Sequence, residues 1–350
     1  MILSTCIDLA ADAAGPDLMA RLRADLAASK QAGADLLLLG RQDGATVVPG
    51  RLDALIGAPT LAADADGAAL VTVLPALFSL PFHVARALSA TDFLTGGTMG
   101  WLPSAIHTDA RATGFGSEYA VTEEEIPTKA GDMVRATQAL WDSWDADALV
   151  IDQAAGRYLD TSRVRRVDYR GSHFDVMGPL NAARPPQGHP VLVADEDDAI
   201  MSAADYQPDV LLVGGDDATS LSTVIATWRT RGFAGRVLAK VSPDGVPGAC
   251  PLDQASHIDG ADGFHIIATD APAALATLRP MGAAPTGPTL RARLTLAVPP
   301  TPIVPRGVSR HEHGPTRTAH LGLFAGHRIL SRRLAAQAGA TAIGVRPVLL

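Results

Sequence analysis

Eight short apolar segments, separated by segments of helical periodicity, limit the fold of this 350-residue chain more than any other feature. They are Met1–Ile7, Asp35–Leu39, Ala68–Leu74, Thr98–Leu102, Val191–Ala194, Val210–Gly214, Arg236–Val241 and Gly263–Ile267. Continuous apolar runs are typical of parallel strands covered on both faces. Eight strand–helix units predict an α/β protein with a (β/α)8 TIM barrel. A doubly wound open sheet is the alternative, but no Gly-x-Gly-x-x-Gly follows the first strand.

Two segments do not fit this repeat, and they define the predicted domain organisation. Residues 145–190 are rich in Pro and Gly and predict an insertion between the fourth helix and the fifth strand. Residues 299–350 begin as a linker rich in Pro, Arg and His, and Leu321–Ala338 could form a terminal helix. We therefore expect a barrel over residues 1–298 and an extension over residues 299–350.

The composition excludes several classes of partner and site. The chain has 37 acidic and 29 basic residues, a net charge of −8, and no basic block, so we expect no nucleic-acid partner. Two cysteines provide neither a disulfide framework nor a zinc ligand set. His311 and His313 lack the helical spacing of a metal motif, and we expect no metal site. Without a signal segment or an apolar span, we expect a cytoplasmic protein with no membrane partner.

A block in the middle of the chain, together with pieces on both sides, resembles a known family. The block comprises Ala139–Trp144, Asp168–Gly171, His173–Val176, Gly178–Asn181 and Arg184–Val191. In order along the chain, Leu88–Trp101 resembles the pattern "LDxLSGGRxGWN", Ala261–Phe264 resembles "ADGF", and Thr289–Leu294 resembles "TLRExL". The pattern is similar to the nitrilotriacetate monooxygenase and dibenzothiophene-sulfone monooxygenase branch of the bacterial luciferase-like flavin enzymes. The resemblance covers residues 1–296.

The resemblance implies both a cofactor and a partner. Members of this branch bind reduced FMN at the C-terminal ends of the barrel strands and receive it from a separate flavin reductase. They activate O₂ at the flavin and insert one oxygen atom into a small organic substrate. The resemblance also allows a homodimer, or a heterodimer with a second luciferase-like subunit.

Several positions where the family contacts flavin differ in this chain. Arg41 replaces an acid after the second strand, and Pro75 and Ala76 replace hydroxyl residues for which Ser79 could compensate. The turn that holds the FMN phosphate in the family is here Asp195–Asp198, four acids in a row. Carboxylates repel a phosphate dianion, and the turn could be a relict of the flavin site. Acids also commonly cap helix N-termini, and a site for Mg²⁺ or Ca²⁺ is a third alternative for these oxygen ligands. On this alignment, the expected cofactor contacts are Arg41, Ser79, Trp101 and Ser104.

Three residues are candidates for the lining of a substrate pocket. His83 is predicted on a helix near the barrel mouth, where it could act as a general base near neutral pH or simply pack at the surface. His107 and Asp109 follow the fourth strand and are expected to face the mouth. No residue is assigned as the catalytic group.

Two functions remain open at this stage. The first is an FMN-dependent two-component monooxygenase with an altered flavin site. The second is a non-catalytic luciferase-like homologue, a pseudoenzyme that has lost flavin binding and acts as a partner or regulatory subunit. The family resemblance favours the first function, and the altered site residues favour the second.

Overall fold

In a computed structural model, which describes residues 1–9, 17–40, 52–107 and 121–299, eight parallel strands form a closed barrel. The strands are β1 (Ile2–Ile7), β2 (Leu36–Leu39), β3 (Ala69–Pro75), β4 (Met99–Ser104), β5 (Val191–Asp195), β6 (Val210–Val213), β7 (Arg236–Ser242) and β8 (Gly263–Ile266). Each strand pairs with the next one along the chain, and β8 pairs with β1. The predicted (β/α)8 fold is confirmed, with strand bounds within two residues of those predicted.

Helices cover the outside of the barrel. They are α1 (Leu18–Gln31), α2 (Ala54–Ala65), α3 (Pro81–Leu94), α4 (Ile126–Trp141), α5 (Ala218–Thr230), α6 (Ala271–Leu278) and the short α7 (Leu290–Arg293). After β5 and β7, the predicted helices are instead short 3₁₀ segments, Ala199–Ser202 and Leu252–His257. Segments this short do not offset the cost of starting an α-helix. In the described part of the chain, no helix combines the length and the apolar character needed to cross a membrane.

Side-chain alternation along the strands divides the core into two parts. Odd-numbered and even-numbered positions of a strand face opposite sides of the sheet. One set, which includes Leu38, Val71 and Leu212, fills the barrel interior. The other set, which includes Leu37 and Leu211, packs against the surrounding helices. The interior set is mainly apolar, and its polar members, such as Ser4, Lys240 and His265, lie in the middle of their strands or toward the C-terminal ends.

A buried polar network lies where the strands begin, and it joins three of the segments that carry the family resemblance. Gln187 Nε2 donates to Asp92 Oδ1 at 2.7 Å, and its amide oxygen accepts from the backbone N–H of Arg291. Arg291 in turn forms two hydrogen bonds with Asp209, at 2.7 and 2.9 Å. Burial raises the pKa of Asp92 to about 6. These residues lie at the end of the barrel opposite the expected active site, so their role is to stabilise the fold.

The excursion between α4 and β5 is anchored to α4 by a buried carboxylate. It contains two small antiparallel hairpins, Leu149–Asp152 with Arg157–Leu159 and Tyr169–Arg170 with Asp175–Val176. Asp132 on α4 is fully buried and accepts hydrogen bonds from the Tyr169 hydroxyl and from the backbone N–H of His173, at 2.7 Å for the latter. Gly171 lies directly against this carboxylate. A Cβ at Gly171 would lie 2.1 Å from Asp132 Oδ1.

The substitution Gly171→Ala is therefore expected to destabilise the protein strongly. The added methyl group displaces the Asp132 carboxylate from its donors, which we expect to lower the free energy of unfolding by about 3 kcal/mol. Gly156→Ala, in the neighbouring hairpin, is the control. It has a positive φ but nothing within 4 Å of the added Cβ, so we expect a loss of about 1 kcal/mol. Denaturant unfolding measures both values, and equal losses would contradict this account of Gly171.

Candidate functional site

A group of polar side chains, here called the polar layer, lies inside the barrel between the middle of the strands and the C-terminal mouth. Its members are Ser4 and Cys6 on β1, Asp195 at the end of β5, Lys240 on β7 and His265 on β8. Ser4 and Lys240 are both in register with His265 across the sheet, so the three side chains are neighbours on the interior wall of the barrel. The C-terminal ends of the strands are where (β/α)8 enzymes hold their catalytic and binding groups. This layer is the candidate functional site.

His265 is an uncharged imidazole within this layer. Its side chain is almost completely buried, and burial together with the nearby Lys240 charge lowers its pKa to about 3. The Ser4 hydroxyl lies 2.9 Å from Nδ1, and the Cys6 sulfur lies 3.7 Å from Nε2. A neutral imidazole has one nitrogen that donates and one that accepts. His265 therefore links the Ser4 hydroxyl and the Cys6 thiol without adding charge to the mouth.

Lys240 provides a positive charge inside the mouth. Its ammonium group lies 2.6 Å from Asp195 Oδ1 and 3.3 Å from Asp197 Oδ2. Lys240 and Asp195 are each only 8% exposed. The Lys240 side chain passes Gly214, the residue after β6. A Cβ atom added to Gly214 would lie 3.6 Å from the lysine Cδ. The sequence-based prediction missed Lys240 and His265, and the signal available was a single polar residue inside each of two apolar strands.

The turn Asp195–Asp198 is held by hydrogen bonds from the surrounding backbone. Asp198 accepts from the Ser104 hydroxyl at 3.0 Å and from the backbone N–H groups of Ala105 and Ile200. Burial raises the pKa of the Asp198 carboxyl above its ordinary value, and these hydrogen bonds partly oppose that rise. Asp198 caps the Ala199–Ser202 segment, in agreement with the helix-capping alternative for these acids.

Glu196 ties the same turn to the next strand–helix unit. Its Oε1 accepts from the Gly214 N–H at 2.6 Å, and its Oε2 accepts from Trp228 Nε1 at 3.0 Å. Within the turn, the Asp197 N–H donates to Asp195 Oδ1. All four carboxylates of the turn therefore have defined partners in the fold.

Several other turns around the mouth follow the same pattern, whereas the N-terminus of α3, after β3, has no side-chain cap. In each of these turns, a backbone N–H group donates a hydrogen bond to a carboxylate, which belongs either to the same turn or to a neighbouring turn. The pairs are Asp217 with the N–H of Ser220, Asp216 with Gly248, Asp244 with Thr269, Asp270 with Ala273, and Glu125 with Thr122. Backbone N–H groups at helix N-termini would otherwise be available to bind an anion.

The structure gives positions for five of the seven site residues predicted from the sequence. Ser104 donates to Asp198, and the half-buried Ser79 donates to the backbone carbonyl of Pro75 at 2.7 Å. Trp101 is fully buried on the helix side of the barrel wall, where it packs edge-to-face on Trp141. Its role as a cofactor contact stays a prediction, as do the roles of the two serines.

The remaining predicted residues are the pocket candidates and Arg41. His83 is exposed on α3. His107, just beyond β4, stacks on Phe78 with 6.2 Å between ring centroids, and its Nε2 is buried without a hydrogen-bond partner. Arg41 and Asp109 lie outside the described residues. Within the described ranges, no three His, Cys, Asp or Glu side chains are grouped as metal ligands would be.

The ion pair between Lys240 and Asp195 is expected to be strongly coupled. Lys240→Met leaves a buried carboxylate without its counter-charge, which we expect to lower the free energy of unfolding by about 3 kcal/mol. In the double variant with Asp195→Asn, we expect a coupling energy of about 1–3 kcal/mol, measured by a double-mutant cycle. The control pair is Lys30 and Asp66, 3.6 Å apart with Asp66 90% exposed, where we expect about 0.5 kcal/mol or less. Equal coupling in the two pairs would refute the account.

His265 is expected to make the stability of the protein depend on pH. Its pKa is about 3 when folded and ordinary when unfolded, so unfolding takes up a proton below pH 6.5. The contribution of His265 to the free energy of unfolding is therefore fully present above pH 6.5 and is lost as the pH falls below it. When the pH is lowered from 7 to 5, we expect the free energy of unfolding to fall by about 2 kcal/mol more in the wild type than in His265→Asn. Denaturant titrations at both pH values measure this difference, and His257→Asn, at an exposed position, should match the wild type.

Comparison with curated proteins finds several related monooxygenases, although no protein-family model matches the chain. The chain is 37% identical over 194 residues to one of the subunits of pristinamycin IIA synthase from Streptomyces pristinaespiralis, which is 55% of this chain and 62% of that protein. It is 37% identical over 134 residues to dibenzothiophene-sulfone monooxygenase of Rhodococcus erythropolis, which is 38% of this chain and 30% of that enzyme. Nitrilotriacetate monooxygenase component A of Aminobacter aminovorans is 36% identical over 124 residues, 35% of this chain and 27% of that protein.

Solved structures share the fold at low sequence identity. Long-chain alkane monooxygenase superposes with a TM-score of 0.71 at 16% identity, over 84% of this chain and 95% of that one. A riboflavin lyase, solved with modified FMN and its substrate riboflavin, superposes with a TM-score of 0.68 at 20% identity and the same coverage. In sequence, by contrast, the matches span less than two thirds of the length of each of the three curated relatives.

Proposed function

The chain belongs to the luciferase-like monooxygenase branch that includes the nitrilotriacetate and dibenzothiophene-sulfone enzymes, and from this premise we propose that it is the oxygenating component of a two-component, flavin-dependent monooxygenase. Its substrate is a small organic molecule, and a separate reductase supplies reduced flavin, which the sequence-based prediction takes to be FMN. The name of one relative, component A of a monooxygenase, supports a system with more than one component.

One observation carries the proposal, namely the polar layer at the C-terminal mouth of an otherwise apolar barrel. Ser4, Lys240 and His265 are neighbours inside the barrel, on the side of its centre that leads to the mouth where enzymes of this fold work. A bound reduced flavin would supply the activation of O₂. The protein groups would position the ligand by hydrogen bonds, and the uncharged His265 can donate or accept there without attracting a counter-ion.

The described residues fit the flavin ring system better than its phosphate. Asp195 and Asp197 accept from the Lys240 ammonium group, which has three donors, so its third donor can form a hydrogen bond with a carbonyl or nitrogen atom of an isoalloxazine ring. A phosphate needs free N–H donors or unpaired cations. In the turns after β5 and β6, carboxylates accept hydrogen bonds from several of the N–H groups, and the charge of Lys240 is balanced by Asp195 and Asp197. We therefore derive no role for the phosphate.

Arg41, Ser79, Trp101 and Ser104 remain the proposed cofactor contacts, and His83, His107 and Asp109 the proposed pocket residues. Two of them, His107 and Trp101, have a ring nitrogen that is buried without a partner, which costs free energy unless a ligand supplies the missing hydrogen bond. His107 has the stronger support, because it lies just beyond the end of β4, whereas Trp101 lies on the helix side of the barrel wall. The His107 ring is held in place by stacking on Phe78.

A flavin titration tests the proposal on the purified full chain. We expect saturable binding of reduced flavin under anaerobic conditions, and oxygen consumption beyond the uncoupled rate when a flavin reductase, NADH and a substrate are added. His107→Phe keeps the ring stacking but removes both nitrogens, so we expect about tenfold weaker flavin binding, or 1.4 kcal/mol. His257→Phe, at an exposed position, should bind like the wild type. Absence of binding by oxidised and reduced flavin alike would refute the proposal.

A second function is a non-catalytic subunit that pairs with a flavin-binding luciferase-like partner. The observation in its favour is that the chain resembles two different subunits of one enzyme, pristinamycin IIA synthase. Beside the match given above, the second of these subunits is 31% identical to the chain over 102 residues. On this alternative, the chain alone binds no flavin, and co-purification with a second luciferase-like chain is needed for activity.

A further inference from the structure

We propose that the turns after β5 and β6, in the described part of the barrel mouth, bind flavin without recognising its phosphate, so that riboflavin, the uncharged flavin, binds at least as tightly as FMN. The inference rests on the proposed function, because it concerns the ligand of the same site. It follows from how the described turns at the mouth use their N–H groups and from the charge that these turns carry.

In the turn after β5, the N–H groups of Glu196, Asp197 and Asp198 all donate hydrogen bonds within the protein, so none of these three is available to a phosphate. The Glu196 N–H donates to the Leu212 carbonyl, and the Asp198 N–H donates to the Asp195 carbonyl. The Asp197 N–H donates to the Asp195 carboxylate. Binding a phosphate here would require at least one of these hydrogen bonds to break.

The turn after β6 and the start of α5 are occupied in the same way. The Gly214 N–H donates to Glu196, and the Gly215 N–H donates to the Gly248 carbonyl. At the helix N-terminus, the Ser220 N–H donates to the Asp217 carboxylate, and Ser220 completes a capping box. The helix end, which would otherwise attract an anion, is already neutralised by a carboxylate of the chain itself.

The charge of the mouth also opposes a phosphate. The turn after β5 has four carboxylates against one ammonium group, Lys240, which is paired with Asp195 and Asp197. His265 adds no charge at neutral pH. Arg279 and Arg291 form their salt bridges with Asp35 and Asp209, both of which lie just before their strands at the opposite end of the barrel. A phosphate dianion at the described mouth would therefore meet excess negative charge, whereas the hydroxyl groups of riboflavin would not.

Matched titrations of riboflavin and FMN test this inference on the full chain. We expect riboflavin to bind about tenfold more tightly than FMN at about 10 mM ionic strength, where charges about 30 Å apart still interact. Above about 0.5 M salt, we expect the two affinities to become similar, because the screening length is then only a few ångströms. Isothermal calorimetry with oxidised flavins, and anaerobic absorbance titration with reduced ones, measure both affinities.

Two charge variants separate the effect of the mouth from that of net charge. Asp197→Asn removes one carboxylate at the mouth, on a side chain that is 79% exposed. At low salt, this variant should lower the ratio of the riboflavin affinity to the FMN affinity about threefold. The control variant, Asp64→Asn, removes a carboxylate that is likewise paired with a basic side chain, Arg23, at 3.1 Å. Asp64 lies near the C-terminal end of α2, just before β3 and therefore at the end of the barrel opposite the mouth. This control variant should leave the ratio unchanged.

Each result decides a different claim. The inference is supported if riboflavin binds at least as tightly as FMN and if the ratio of the two affinities falls at high salt. The ratio must also fall in Asp197→Asn and not in Asp64→Asn. FMN binding tenfold more tightly than riboflavin overturns the inference and leaves the proposed function standing. Absence of binding by either flavin, oxidised or reduced, overturns both.

Discussion

Closure of the barrel makes every second residue of eight strands face one common interior, and the rest of the structure depends on that constraint. Most of the interior residues are apolar, and Leu38, Val71 and Leu212 illustrate this. Among them, strand register brings Ser4, Lys240 and His265 together from three neighbouring strands. The location of the candidate site is thus a consequence of strand pairing, because these residues lie far apart in the sequence.

Carboxylates define the chemistry of the mouth through what they bind. Most of the acids around it accept hydrogen bonds from backbone N–H groups of the turns, which stabilises the loops that surround the site. The same bonds leave those N–H groups unavailable to an anion. Stability of the rim and the proposed exclusion of phosphate therefore have one physical cause.

The sequence was sufficient to predict the architecture because continuous apolar runs have few alternatives in a parallel sheet. The strand Gly263–Ile266 was predicted within one residue, and the helix Pro81–Leu94 without error. Two predicted helices became 3₁₀ segments, since local patterns do not report how tightly a short connection must turn. The capping role of Asp198 was among the alternatives considered and is the one that the structure supports.

Much of the candidate site could not be predicted from local pattern. Lys240 is one polar residue in the strand Arg236–Ser242, and only strand register shows that it meets Asp195. The signature motifs were misleading as guides to chemistry, because Gln187 and Arg291 belong to the network at the opposite end of the barrel. A crystal structure of the chain with bound riboflavin is the most direct test of the account. We expect the isoalloxazine ring over Ser4, Lys240 and His265 at the C-terminal mouth, and a ring bound anywhere else would contradict the central claim.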